Sequence, residues 1–335
     1  MIQTQEKKQN FNKISIAPML DWTDRHFRYF LRHICRQPLF YTEMIAVPAL
    51  ILGNRQQLLD YNNPEEHPLA LQIGGSNPDM MGQCAKYAYD WGYQEVNINA
   101  GCPSSRVQAG KFGAILMKTP ELVADCVAEM KAKSPLPVTV KTRISLTDAG
   151  GDGFQALFHF ADCVKKAGCD TLIVHARQAR LNKSPKDNRG DCVPLNYDVV
   201  YRLKKSFPDM PIIINGNILT MNDIDKHLSS VDGVMIGRWA YGNPYALSQL
   251  DKHYYQDEHP VLSRLEILDK MMPYLEQNTR HLSIIAPHLL GLYHGQPNAK
   301  HYKQTIMTRD LNELKKFINE ESKKDKINET DGTSN

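Results

Sequence analysis

Short apolar runs alternate with amphipathic stretches through most of this chain. Ile14 to Pro18 reads as a strand, and residues 24–34 carry helical spacing. Leu39 to Glu43 is strand-like, with helix-like sequence through Leu52, and Leu69 to Ile73 is strand-like again. From Pro78 the apolar positions Met81, Cys84, Ala85, Ala88 and Trp91 follow helical periodicity up to Gly92, so a start and a stop signal frame a helix. Glu95 to Asn99 then reads as a strand that halts at Gly101 and Pro103, and a helix runs from Pro120. Val138 to Lys141, Thr171 to His175, Pro211 to Asn215 and Gly233 to Gly237 are further strands. Helices over 154–167, 197–207 and 221–228 separate them, and another follows Pro244.

Eight such strand–helix units in about 240 residues, with short strands that read as apolar runs, predict an α/β fold of the (β/α)8 TIM-barrel type. An open doubly wound sheet is the competing architecture, but no Gly-x-Gly-x-x-Gly turn follows the first strand. After His259 the rhythm ends. From Ser263 to Leu314 the spacing is helical without strands, as in the stripe Leu265, Leu268, Met271, Met272 and Leu275. The expected organisation is an N-terminal extension (1–13), a barrel (14–258), a small all-helical domain (259–320) and a charged, disordered tail (321–335).

Composition narrows the class. At 335 residues, with 42% hydrophobic and 23% charged positions, the chain reads as globular. No apolar run approaches the roughly 18 residues of a membrane helix, and no secretory signal opens the sequence. Seven cysteines without a Cys-x-x-Cys pair argue against a disulfide framework or a zinc site. The expectation is a cytoplasmic monomer with no membrane association, no metal and no obligate protein partner. A net charge of +3 does not by itself announce nucleic-acid binding, so the placement of positive charge matters.

The chemistry of a barrel gathers where its strands end, because the loops after them build one face. Here those ends carry Ala17, Pro18 and Met19, then Gln72, then Asn97, Asn99 and Cys102. They continue with Lys141 and Arg143, His175 and Arg177, Asn215, Gly216 and Asn217, and Gly237 and Arg238. One such residue is ordinary, since a single histidine packs and a single lysine snorkels; a ring from seven strands is not explained by packing. Glycines after the seventh and eighth strands admit a ligand close to the backbone, and Arg238 adds a charged donor, so a phosphate-bearing cofactor is expected there. Lys141 then faces a part of the ligand that becomes negative, and a reduced flavin is one candidate among several.

Cys102 sits on a tight turn between Gly101 and Pro103 rather than in a packed stripe, which makes it a candidate for chemistry. The connection after the sixth strand is long and basic, with Arg177, Arg180, Lys183, Lys186 and Arg189 against Asp187. It reads as a phosphodiester contact surface or as a solvated loop. Lys300 and Lys303 offer a second basic patch or an ordinary polar helix face.

Together, Ala17-Pro-Met-Leu-Asp-Trp-Thr-Asp24, Tyr41-Thr-Glu-Met44, Asn99-Ala-Gly-Cys-Pro103 and Val140-Lys-Thr-Arg143 resemble the tRNA-dihydrouridine synthases. His175-Ala-Arg177, Ile214-Asn-Gly-Asn217 and Gly237-Arg238 extend the likeness, which covers residues 14–320 in order. Residues 21–26 and 184–186 are similar to the bacterial A (20/20a) subfamily. Asn217 departs from the family pattern, which often has glycine there.

The resemblance implies FMN as tightly bound cofactor, NADPH as reductant and tRNA as substrate. It carries FMN contacts onto Ala17, Pro18, Met19, Gln72, Lys141, His175, Asn215, Gly216, Asn217, Gly237 and Arg238, and tRNA contacts onto Asn99, Lys186, Arg189, Lys300 and Lys303. Cys102 becomes the proton donor. The implied reaction places hydride from flavin N5 on C6 of a D-loop uridine (20 and 20a) and a proton on C5. A thiol ordinarily titrates near ~8.5 and so keeps its proton near neutral pH. A flavin reductase of a free pyrimidine, like dihydroorotate dehydrogenases, leaves the basic loop without purpose. A non-catalytic tRNA chaperone leaves the Cys102 turn without one.

Overall fold

The computed structural model describes residues 13–332 except 63, 185 and 190–192. Eight parallel strands close into a barrel: β1 (Ile14–Ile16), β2 (Leu39–Tyr41), β3 (Leu69–Gly74), β4 (Glu95–Asn99), β5 (Val138–Arg143), β6 (Thr171–His175), β7 (Ile212–Asn215) and β8 (Gly233–Ile236). Closure comes from β1, which pairs with β2 on one side and β8 on the other. The two-residue strand Ile45–Ala46 adds to β3 outside this ring.

Period-two alternation decides what each strand buries. On β4, Val96 and Ile98 face outward into the core shared with the helices, whereas Glu95, Asn97 and Asn99 face the barrel interior. On β5, Val138 and Val140 face outward, whereas Thr139 and Lys141 face inward. The interior therefore has an apolar side (Ala17, Leu39, Tyr41, Ala70, Ile173, Ile213 and Met235) and a polar side. Burial pushes the Glu95 carboxyl up to about 7, although Thr139 and Tyr41 donate hydrogen bonds to it.

The outer helices obey their end signals. Helix α1 (Arg25–Arg32) starts at Asp24, whose carboxylate accepts from the His26 and Phe27 N–H groups, a cap worth about 1 kcal/mol. Helix α2 (Pro78–Asp90) has Asn77 as cap and proline in its first turn. Thr220 and Asp223 form a reciprocal capping box on α3 (Met221–Leu228), as Ser263 and Glu266 do on α4 (Arg264–Gln277).

The C-terminal helices dock on α1. Tyr29 stacks on Tyr274 at 4.0 Å, and His26 Nδ1 meets the Tyr274 hydroxyl at 2.7 Å. His288, on α5 (Leu282–Leu289), lies 3.1 Å from the same Asp24 that caps α1. The α6 helix (Ala299–Thr308) buries Tyr302 against Tyr293 and Phe317.

The stretch from 321, expected to be a disordered tail, is corrected to helix as far as Gly332, within α7 (Leu311–Gly332). Leu314, Phe317 and Ile318 anchor its start, and no glycine or proline interrupts the chain before Gly332, so propagation costs little. Residues 333–335 of that tail, and all but Lys13 of the expected N-terminal extension, lie outside the described residues.

Candidate active site

A cavity of about 850 Å³ opens where the strands end, a size typical of sites for small ligands. All eleven residues expected to bind the cofactor line it, and so do Cys102 and Asn99. Lys186, Lys300 and Lys303 are not among its lining residues. Lys186, Lys300 and Lys303 are exposed, Arg189 lies in a short 3-10 turn (Asp187–Arg189), and Pro185, in the motif beside Lys186, lies outside the described residues.

The Cys102 turn is held at several points. Asn99 Oδ1 accepts from the N–H of Gly101 (3.1 Å) and of Cys102 (3.0 Å), and Arg143 Nε donates to the Gly101 carbonyl at 2.9 Å. The Cys102 carbonyl accepts from Ala114 N at 2.8 Å. Gly113 must be glycine here: its φ is +77°, and a Cβ would lie 2.6 Å from the Cys102 carbonyl oxygen. Gln108 Nε2 then bridges the Pro103 and Leu181 carbonyls, both at 2.8 Å, tying this turn to the loop after β6.

The cavity lining is rich in positive charge. Arg106, Lys141, Arg143, Arg177 and Arg238 line the cavity, with Asp21 as the acid among the lining residues. Lys141 Nζ donates to Asn215 Oδ1 at 3.2 Å. Burial, with the neighbouring Arg143 charge, pulls the Lys141 ammonium down to about 7. Burial together with Arg143 and Lys141 drives the His175 imidazole well below its usual range, so it is neutral. Such a wall favours an anionic ligand.

The ends of β7 and β8 form the other side. Asn217 takes a left-handed φ of +53°, the conformation glycine adopts freely and asparagine tolerates best among the other residues. Its Oδ1 accepts from Arg238 Nη2 at 3.1 Å, so the departure from glycine positions the arginine. A Cβ on Gly237 would stand 3.8 Å from Met19 Sδ and 3.9 Å from Ala17 Cβ, ordinary contact distances, and all three residues line the cavity.

Sequence reasoning missed several contributors. Trp22 and Met44 line the cavity, and Trp22 stacks on Tyr241 at 4.4 Å. Arg177, expected both among the strand-end groups and in the basic loop, is buried, lines the cavity and donates to the Val193 carbonyl. Buried Asn188 shapes the loop after β6: its Nδ2 donates to the Arg180 (2.9 Å), Lys183 (3.2 Å) and Ser184 (3.1 Å) carbonyls, and its Oδ1 accepts from Arg180 N at 2.7 Å. An asparagine inside a long basic loop was the available signal, because such residues supply local backbone hydrogen bonds.

Comparisons with known proteins follow this geometry. Residues 15–328 match the family described as dihydrouridine synthase (Dus). The chain is 50% identical over 306 residues to the tRNA-dihydrouridine(20/20a) synthase of Synechocystis sp., covering 90% of each chain. It is 49% identical to that of Shewanella oneidensis, covering 87% of each, and 47% identical to that of Vibrio cholerae, covering 88% of this chain and 90% of the relative. Among solved structures it is similar in fold to 2-naphthoyl-CoA reductase (TM-score 0.55, 11% identity, 76% of this chain and 52% of that one). It is also similar to the old yellow enzyme homologue of Zymomonas mobilis (TM-score 0.51, 13% identity, 76% of this chain and 90% of that one).

Proposed function

The chain belongs to the dihydrouridine synthase family, whose reaction is the flavin-dependent reduction of uridine to dihydrouridine in tRNA, and on that premise we propose that it acts at positions 20 and 20a, with FMN in the barrel mouth and NADPH as reductant. The observation that carries this reading is one cavity holding both the pinned Cys102 turn and the Lys141 wall.

The residues present fit FMN. Arg238 is held by Asn217 beside the cavity-lining Gly216 and Gly237, and these three would form a cradle for the phosphate. Ala17, Pro18, Met19, Gln72, Lys141, His175 and Asn215 would hold the ring, with the Lys141 ammonium supplying positive charge. When bound, the flavin supplies the hydride that adds to C6 of the uracil.

The chain's own residues do the rest. Cys102 holds a proton at Sγ and delivers it to C5, while the hydrogen bonds that Asn99 Oδ1 accepts from the turn and Arg143 donates to it keep that thiol at a fixed place on the wall. Lys186, Arg189, Lys300 and Lys303 hold tRNA phosphates, and the helical domain (259–320), docked on α1, widens the recognition surface beside the barrel (14–258). A stacked base must be extruded to reach the cavity, at a cost of a few kcal/mol, which the wider surface offsets.

Purified protein supplied with FMN and NADPH should form dihydrouridine at positions 20 and 20a of unmodified tRNA and none in free uridine. Absence of product in tRNA, with flavin bound, would end this reading.

A further inference from the structure

Below the cavity floor the polar side of the barrel interior forms one hydrogen-bond relay. The Cys102 and Gly101 N–H groups donate to Asn99 Oδ1, and Asn99 Nδ2 donates to Gln72 Oε1 at 2.8 Å. Gln72 Nε2 donates to Asn97 Oδ1 at 2.7 Å, and Asn97 Nδ2 donates to Thr139 Oγ1 at 2.8 Å. Thr139 Oγ1 donates to Glu95 Oε1 at 2.6 Å, and the Tyr41 hydroxyl donates to the same oxygen. Every bond points the same way, from the Cys102 turn to Glu95.

That uniform direction has a cause. An amide has a donor end and an acceptor end, so a chain of amides can run either way until something fixes it. Two backbone N–H groups fix the upper end, since they require Asn99 Oδ1 as acceptor. At the lower end the Glu95 oxygen accepts the hydrogen bond of the Thr139 hydroxyl, which leaves the Thr139 oxygen to accept from Asn97. Gln72 and Asn99 each spend one amide N–H on the relay and retain a second, and both line the cavity. The mouth therefore offers donors on this side, suited to carbonyl oxygens of a bound ring.

We propose that Glu95 is a positioning residue, the terminal acceptor that fixes Gln72 and Asn99 as donors toward the cavity and steadies the Cys102 turn from the barrel floor. For the reaction this rests on the function proposed above; the orientation of the turn is a property of the chain alone. The acceptor oxygen is the operative feature, so an amide serves where an alkyl chain does not.

The test is alkylation of Cys102 by iodoacetamide in ligand-free protein, read on the Cys102 peptide by mass spectrometry, beside kcat and KM for tRNA reduction. Glu95→Met should change the alkylation rate by about threefold or more and lower kcat about 10-fold, with KM within about twofold, since small misplacements of a catalytic group act on the chemical step. Glu95→Gln should restore both. In a Gln72→Ala background, where the relay is already cut, Glu95→Met should change the alkylation rate no further, whereas a general loosening of the barrel adds to the first substitution. Should Glu95→Met fail to fold, Thr139→Val decides in the same way. Unchanged alkylation, failure of Glu95→Gln to restore it, or an undiminished effect in the Gln72→Ala background overturns the proposal. If wild-type protein forms no dihydrouridine, the functional reading falls while the alkylation measurements still decide the relay.

Discussion

Lys141 Nζ donates to Asn215 Oδ1 across 3.2 Å, and Asn215 is itself oriented by donating Nδ2 to the Met235 carbonyl at 2.8 Å. The amide thus presents its oxygen to the ammonium on the cavity wall. Burial, reinforced by Arg143, has brought that ammonium to about 7, so its charge is in balance near neutral pH.

Raising the pH through 7 strips the proton from Lys141 in the free protein, and a ligand that needs the charge must restore it. Binding of FMN, most of all in its reduced form, should therefore take up part of a proton at pH 8. Affinity should fall above pH 7 by at most about tenfold per unit. Calorimetry in buffers of different ionisation enthalpy measures the uptake, and Lys141→Met should abolish it.

Cys102→Ala should leave reduction of bound flavin by NADPH at the wild-type rate and slow oxidation of that flavin by tRNA about 10²–10⁴-fold, the usual range for loss of a positioned acid. Stopped-flow measurement of the two half-reactions separates them. Equal rates of tRNA reduction in the variant and the wild type would assign the acid to another group.

The barrel was legible because its strands are short and its helices carry end signals: β4 and β6 begin and end where the apolar pattern places them. The polar lining of the cavity was legible too, since polar residues at apolar strand ends have no packing role. What lay hidden was the second period of the same strands. Glu95 and Thr139 sit two residues before the strand-end groups and look like tolerated polar positions until the barrel closes and pairs Asn97 with Thr139. Asn188 was equally silent, because its partners are backbone carbonyls of its own loop. The α7 extension escaped because a charged composition describes a solvated helix as well as a disordered tail.

Asn217 joins backbone strain to the orientation of Arg238. At φ +53° a β-branched side chain is strained, so Asn217→Val should lower stability by ~1–3 kcal/mol, while Asn217→Gly should not lower it. Urea unfolding of the three proteins checks the order. Equal midpoints for valine and asparagine would show that the backbone relaxes.

The loop after β6 supplies the prediction for tRNA. Lys186→Ala combined with Arg189→Ala should weaken tRNA binding and flatten the dependence of log K on log salt by up to about two phosphate contacts. With Lys186→Ala alone FMN affinity should not move, since Lys186 is not among the residues that line the cavity. Filter binding at several salt concentrations reads the slope, and an unchanged slope would remove this loop from the tRNA surface.

The junction between α1 and the C-terminal helices should make the protein sensitive to acid. Burial brings His26, against the Tyr274 hydroxyl, down to about 4. His33 on the same side falls to about 4 by burial and the charges of Lys270 and Arg36. Both imidazoles are neutral in the folded protein at pH 5, whereas in the unfolded chain they titrate near their ordinary value of ~6.5. Between those values the unfolded state binds more protons, so stability rises with pH across the window and is lost as pH falls from about 6.5 towards 4. Urea midpoints should therefore drop between pH 7 and pH 4.5. His26→Gln, which keeps a polar partner for Tyr274 and removes the titration, should make that drop shallower. If the variant loses as much stability as the wild type over the same interval, the acid sensitivity arises elsewhere than at this docking surface.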